Sequence, residues 1–267
     1  MEHICIIHNL ARCGGTLFSK CIACLKNIVL LSEIHPESEL IFPDQNFNLI
    51  NQFKLWYAYD LEYFHRVGLI TEFRENFIRI FNTCNTHKKQ LVIRDWAQLD
   101  FIPIPYLNNQ KIKFKFSLDN EIKDISNLKH IAIIRNPIDQ WLSLKKFNGM
   151  EELSVKDYLA GYLRYIKEIN NNNITIIKYE DFIEDPISQI KIAAKELKIQ
   201  FDYDFTNKCF HYNKITGDVI GVNSSGRGIG LMSFEKLPRI DDTKNLTIIK
   251  SENLLYEILE LTGYKEK

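Results

Sequence analysis

Arg12 and Thr16 flank a pair of glycines, Gly14 and Gly15, in the stretch ARCGGTLF. Arginine supplies a forked cation and threonine a hydroxyl donor, while the glycines let the backbone turn tightly and approach a ligand closely. Just upstream, Ile4, Cys5, Ile6 and Ile7 form the short apolar run of a strand covered on both faces, and residues 16–26 carry apolar side chains at helical spacing. A helix that starts right after such a turn points its first free N–H groups, and the positive end of its dipole, at whatever lies above the loop. Together these features build an anion site suited to phosphate or sulfate. The loop is not that of a nucleotide triphosphatase, because no lysine follows Gly15. Cys13 sits beside Arg12 at the helix start, where a thiol is expected to have a lowered pKa and to react with alkylating agents.

Residues 129–147, KHIAIIRNPIDQWLSLKKF, repeat the arrangement. An apolar run from Ile131 to Ile134 ends at a cation, Arg135, and Pro137 opens a helix at a position where its missing N–H would have had no partner. Ser143 follows Arg135 by eight positions and adds a hydroxyl. Two separated anion sites in one chain are a more specific signal than either alone.

Strands beginning at residues 3, 28, 91, 130 and 174 alternate with helices, the pattern of a mostly parallel sheet in one α/β domain over residues 1–267. At 45% hydrophobic and 25% charged residues, a chain of 267 can bury a sizeable core. Lys plus Arg equals Asp plus Glu at 34 each, so no global field recruits nucleic acid or an acidic membrane. No stretch is long and apolar enough to span a bilayer and the start MEH lacks a signal-peptide core, which makes a cytoplasmic location the expectation. Cys21 and Cys24 have metal-like spacing, yet both fall on the helix after the first loop and no second pair matches. Buried thiols rather than zinc are expected there. His65, His87, His130 and His211 show no ligand spacing either.

Over residues 44–86, Phe47, Ile50, Phe53, Trp56, Tyr57, Tyr63 and Phe64 recur at spacings near three and four. This predicts a helical insertion after the second strand, its aromatics mostly core, hanging over the carboxyl edge of the sheet where it could cap an acceptor. The alternation KIKFKF at residues 111–116 predicts a short edge strand or hairpin with solvated lysines.

Residues 12–17 resemble the 5′-phosphosulfate loop of the sulfotransferases, and Arg135 with Ser143 resembles the pair by which that family holds the 3′-phosphate of 3′-phosphoadenosine 5′-phosphosulfate (PAPS). Looser matches are NITIIKYEDFIEDP at residues 173–186, similar to the family's Y-E-D segment, and VNSSGRGIG at residues 222–230, similar to its flexible loop over the donor. The resemblance implies a three-layer α/β fold with a strand-loop-helix phosphate site. It assigns donor binding to Arg12, Cys13, Gly14, Gly15, Thr16, Leu17, Arg135, Ser143, Tyr179, Ser224, Ser225 and Arg227. It further implies transfer of a sulfuryl group from PAPS to a hydroxyl or amine of a small molecule, carbohydrate or other acceptor without a metal, Arg12 neutralising developing charge.

Glu33, in SEIHP after the second strand, resembles the catalytic glutamate of some branches, with His35 and Asp95 as rivals for the base. Cytosolic members use a histidine in a K-T-H stretch; the residues here are Arg94, Asp95 and Trp96, so that histidine is absent. Two other classes stay open. A magnesium-dependent nucleotide phosphotransferase or kinase would be expected to need a loop lysine, and a catalytically silent nucleotide-binding protein would need no base.

Overall fold

The computed structural model describes residues 3–38, 48–61, 72–107, 110–217, 233–235 and 238–266. Its strands are β1 (His3–Asn9), β2 (Ile28–Ile34), β3 (Gln90–Asp95), β4 (Asn127–Ile134) and β5 (Thr175–Lys178). They form one all-parallel sheet in the order β2-β3-β1-β4-β5. The described helices of eight residues or more are α1 (Gly15–Ala23), α2 (Leu49–Tyr57), α3 (Phe73–Thr86), α4 (Pro137–Leu144), α5 (Val155–Asn171), α6 (Pro186–Glu196), α7 (Thr243–Lys250) and α8 (Asn253–Thr262).

Strand side chains alternate between faces, and here both faces are apolar because helices cover both. Cys5, Ile7, Leu30, Val92, Ile131 and Ile133 pack with Phe18 of α1 and Ile190 of α6 on one side. On the other, Ile4, Ile6, Val29 and Ile93 pack with Phe53 of α2 and Phe77 of α3, and Ala132 and Ile134 pack with Trp141 of α4 and Tyr158 of α5. The result is the expected three-layer α/β sandwich. Each fully buried isoleucine contributes about 2–3 kcal/mol of transfer free energy. Among the described residues no helix is long and apolar enough to cross a membrane.

The connection leaving β1 runs to one face, into α1, whereas the one leaving the adjacent β4 runs to the opposite face, into α4. A crevice therefore opens between their carboxyl ends, the point at which open α/β sheets bind ligands. Arg12 follows β1 and Arg135 follows β4, so the sequence has put both cations at that crevice.

Helices α2 and α3 fill the expected insertion, although Phe47, Tyr63, Phe64 and His65 lie outside the described residues. As anticipated, Ile50, Phe53 and Tyr57 are core. Two polar residues of α2 also cover the open edge of β2. Gln52 accepts from Ser32 N at 2.8 Å and donates to Ser32 O at 2.6 Å, while Tyr57 Oη accepts from Leu30 N at 3.1 Å and donates to Leu30 O at 3.0 Å. These bonds stand in for a missing neighbour strand and close a ladder that would otherwise invite another chain.

Two expectations fail. Residues 111–116 form neither edge strand nor hairpin: Phe114 has φ 53°, and the amides of Lys113 and Phe114 both donate to Asp100 O rather than to a neighbouring strand. Phe116 turns inward onto Phe101 and Tyr165. The second strand also extends past Leu31 to Ile34, so Glu33 lies within it instead of after it.

Candidate active site

The first loop is pinned from below before it turns. Gln98 Oε1 accepts from Ala11 N at 3.1 Å and Gln140 Nε2 donates to Ala11 O at 2.7 Å, and the chain then passes through Arg12 at φ 66°. Gly14 is the N-cap of α1 at φ 85°, with no capping side chain and no acidic residue in the first turn. A helix start with neither suits an anion. A Cβ on Gly14 would come within 2.2 Å of the Tyr179 ring, and one on Gly15 within 2.7 Å of the Asn9 side chain. Both glycines are required by close approach. Leu17 packs partly buried beside α1's core face, and Thr16 stays partly exposed at the helix start.

The second strand end meets the first. Arg12 Nε donates to Ser143 Oγ at 3.0 Å, and Arg135 Nη1 donates to Arg12 O at 3.2 Å. The Arg135 guanidinium lies over the Tyr179 ring at 5.0 Å, and its backbone carbonyl accepts from the buried Tyr162 hydroxyl at 2.7 Å. Asn136 then caps α4 through a bond from Ile138 N at 3.0 Å, with Pro137 in the first turn. Arg135 Nε is buried and has no hydrogen-bond partner among the described residues. Sequence spacing suggested two separate anion sites; folding joins Arg12, Arg135, Ser143 and Tyr179 in one cationic cluster.

Glu33 reaches the same sheet edge by a backbone irregularity. Ser32 lies opposite Arg94 and Ile34 opposite Asp95, leaving Glu33 as the extra residue of a bulge at φ 56°. Such a conformation costs on the order of 1–3 kcal/mol and concentrates at functional sites. Glu33 Oε1 stands 3.3 Å from Arg94 Nη2, and Arg94 also donates to Asn9 Oδ1 at 3.1 Å, Ser32 Oγ at 3.2 Å and Thr216 O at 3.2 Å. Gly217 closes over this pair: a Cβ there would lie 3.0 Å from Thr16 Oγ1 and 3.2 Å from Glu33 Oε1. Thr16 and Glu33 are therefore neighbours across the loop.

The rival bases lie elsewhere. His35 is buried, with Nε2 3.3 Å from Asp100 Oδ1 and Nδ1 accepting from Glu37 N at 3.1 Å, so it organises the turn after β2. Asp95 is fully buried, its carboxyl pKa raised by that burial, and its Oδ2 lies 2.8 Å from His8 Nδ1 on the face away from Arg94. Cys13 corrects an expectation. It is buried, and loss of water pushes its thiol up to about 11, outweighing Arg94, the loop amides and Arg135. Ser224, Ser225 and Arg227 lie outside the described residues.

Sequence reading missed Asn9, Gln98 and Gln140 as the loop's supports and Arg94 as Glu33's partner. The only available signal was their polarity within or beside apolar strands and helices.

No family model matches the chain, and no curated protein matches it in sequence. Its structure is similar to the sulfotransferase domain from the curacin biosynthetic pathway, over 100% of this chain and 99% of that one, with a TM-score of 0.67 at 13% identity. The chain has the sulfotransferase fold. The sulfotransferase domain from the Synechococcus PCC 7002 olefin synthase shares it, with 94% of each chain covered, a TM-score of 0.54 and 14% identity. Within this sulfotransferase fold the crevice between β1 and β4, lined by Arg12 and Arg135, is the candidate site.

Proposed function

We propose that the chain is a sulfotransferase that moves a sulfuryl group from PAPS to a hydroxyl or amine acceptor by in-line displacement. Arg135 Nε carries this reading: a buried donor without a partner among the described residues, set beside Arg12, Ser143 and the uncapped start of α1. An unmade bond from a charged group is costly, and an anion in the crevice would complete it. Tyr179 supports the same fit: its ring packs on Gly14 where a Cβ would stand and lies under the Arg135 guanidinium at 5.0 Å, which ties the first loop to the second cation.

PAPS would supply the activated sulfuryl group. The amides of α1, with Thr16, Gly15 and Leu17 in its first turn, face the 5′-phosphosulfate. Arg135 and Ser143 hold the 3′-phosphate, joined by Ser224, Ser225 and Arg227. Arg12, between the two groups, neutralises charge as it develops on the departing phosphate, a preorganised electrostatic role. Glu33 accepts the acceptor's proton, held in place by Arg94. The insertion over residues 44–86 covers the acceptor, a small-molecule, carbohydrate or other hydroxyl.

Release of adenosine 3′,5′-bisphosphate from PAPS, measured over a panel of hydroxyl and amine acceptors, tests this. Acceptor-dependent release that falls at least about tenfold in Arg12→Ala is expected, from loss of a charge-assisted contact. Binding without release on any acceptor would mark a silent nucleotide-binding protein, and magnesium-dependent ATP turnover a phosphotransferase.

A further inference from the structure

Behind the sheet from Arg94, three side chains far apart in sequence converge. His8 Nε2 lies 3.1 Å from His130 Nδ1 and 3.6 Å from Asp119 Oδ2, and the last two lie 3.5 Å apart. His8 ends the apolar run of β1, His130 stands on β4, and Asp119 belongs to the short helix Ser117–Ile122. Their ligand-type atoms thus form a nearly equilateral triangle. We propose that His8, His130 and Asp119 bind a divalent transition metal of the zinc class.

Four observations carry the assignment. The edges of the triangle match the roughly 3.4 Å between ligand atoms of a tetrahedral site with bonds of about 2.0–2.1 Å, better than the roughly 3.0 Å between adjacent corners of an octahedron. His8 Nδ1 faces Asp95 Oδ2 at 2.8 Å, the carboxylate partner that fixes a metal-bound imidazole with its other nitrogen's lone pair aimed at the ion. Phe116 stacks on the His8 ring at a centroid distance of 3.7 Å and holds its plane. Asp119 Oδ1 is buried without a hydrogen-bond partner among the described residues. With Nδ1 turned to Asp95, His8 Nε2 meets His130 Nδ1 and Asp119 Oδ2, three atoms that a single cation can bridge. His130 and Asp119 are each 21% exposed in their side chains, which gives the ion an entry path and solvent access for a fourth ligand. Bound metal fastens β1, β4 and the Ser117–Ile122 helix behind Asn9, the residue that supports Arg94.

Cobalt titration of the chelator-stripped protein tests the site. We expect one Co2+ per chain, with the intense visible absorption of a tetrahedral ion, displaced by Zn2+, and a thermal unfolding midpoint that rises with added Zn2+. His130→Ala and Asp119→Asn, both at partly exposed positions, should keep the native circular dichroism and weaken Co2+ binding at least about tenfold. Asp95→Asn should weaken it about 10–100-fold as an outer-shell change. Absence of stoichiometric Co2+ binding to the folded wild-type protein overturns the proposal and leaves a proton as the cation of this cluster. Binding that survives intact in both His130→Ala and Asp119→Asn puts the metal elsewhere and overturns it equally.

Discussion

Arg94 Nη2 stands 3.3 Å from Glu33 Oε1, so the carboxylate lifted out by the β2 bulge is held by a buried guanidinium at the sheet edge. Arg94 keeps its bonds to Asn9, Ser32 and Thr216 whatever residue stands at 33. Glu33→Gln should therefore fold and bind donor as the wild type does, while the rate constant for transfer drops roughly a hundredfold or more. Single-turnover kinetics would show it. A wild-type rate in this variant removes Glu33 as the base.

Gly14→Ala should disrupt the loop for two separable reasons. Alanine at φ 85° costs at least about 1 kcal/mol, and the added Cβ would also collide with the Tyr179 ring at 2.2 Å. Tyr179→Ala in the same chain should restore only the part due to the collision. Urea denaturation of the single and double variants separates the two, and a Gly14→Ala protein as stable as wild type would mean that the loop does not adopt this conformation.

Cys13 should resist alkylation in the folded protein near neutral pH and react rapidly once the chain is denatured, since burial raises its pKa to about 11. The folded value lies above the ordinary thiol value of 9.0, so the native state binds the extra proton in that window. Its stabilising contribution is complete below about pH 9 and is lost as pH rises toward about 11. Cys13→Ser should flatten that part of the pH dependence of the urea midpoint. Fast labelling of native Cys13 at neutral pH would contradict the burial.

The sheet was legible because its strands are buried on both faces and read as continuous apolar runs, and because Gly14, Gly15 and Pro137 punctuate strand-to-helix turns. Arg12 and Arg135 could be read as strand-end cations for the same reason. That Arg12 reaches Ser143, 131 positions away, could not, because the contact depends on β1 and β4 being neighbours in the sheet. Burial was likewise hidden at Cys13, where local sequence showed a cation and a helix start but not the packing above them. His35 and Asp95 stood as rivals to Glu33 in the sequence, and the bulge of β2 and the alternation of β3 send them to different surroundings. KIKFKF alternated like a strand, yet a positive φ at Phe114 and the pull of Phe116 into the core decided otherwise.

A crevice that binds a nucleotide's 3′-phosphate must prefer adenosine 3′,5′-bisphosphate to adenosine 5′-monophosphate, and titration calorimetry with the two nucleotides measures that preference. Arg135 Nε lacks a partner among the described residues, so the bisphosphate should bind more tightly by about 2–4 kcal/mol. Arg135→Ala should erase most of that preference while leaving the monophosphate's affinity nearly unchanged. Equal affinity of the wild-type protein for the two nucleotides would contradict the account.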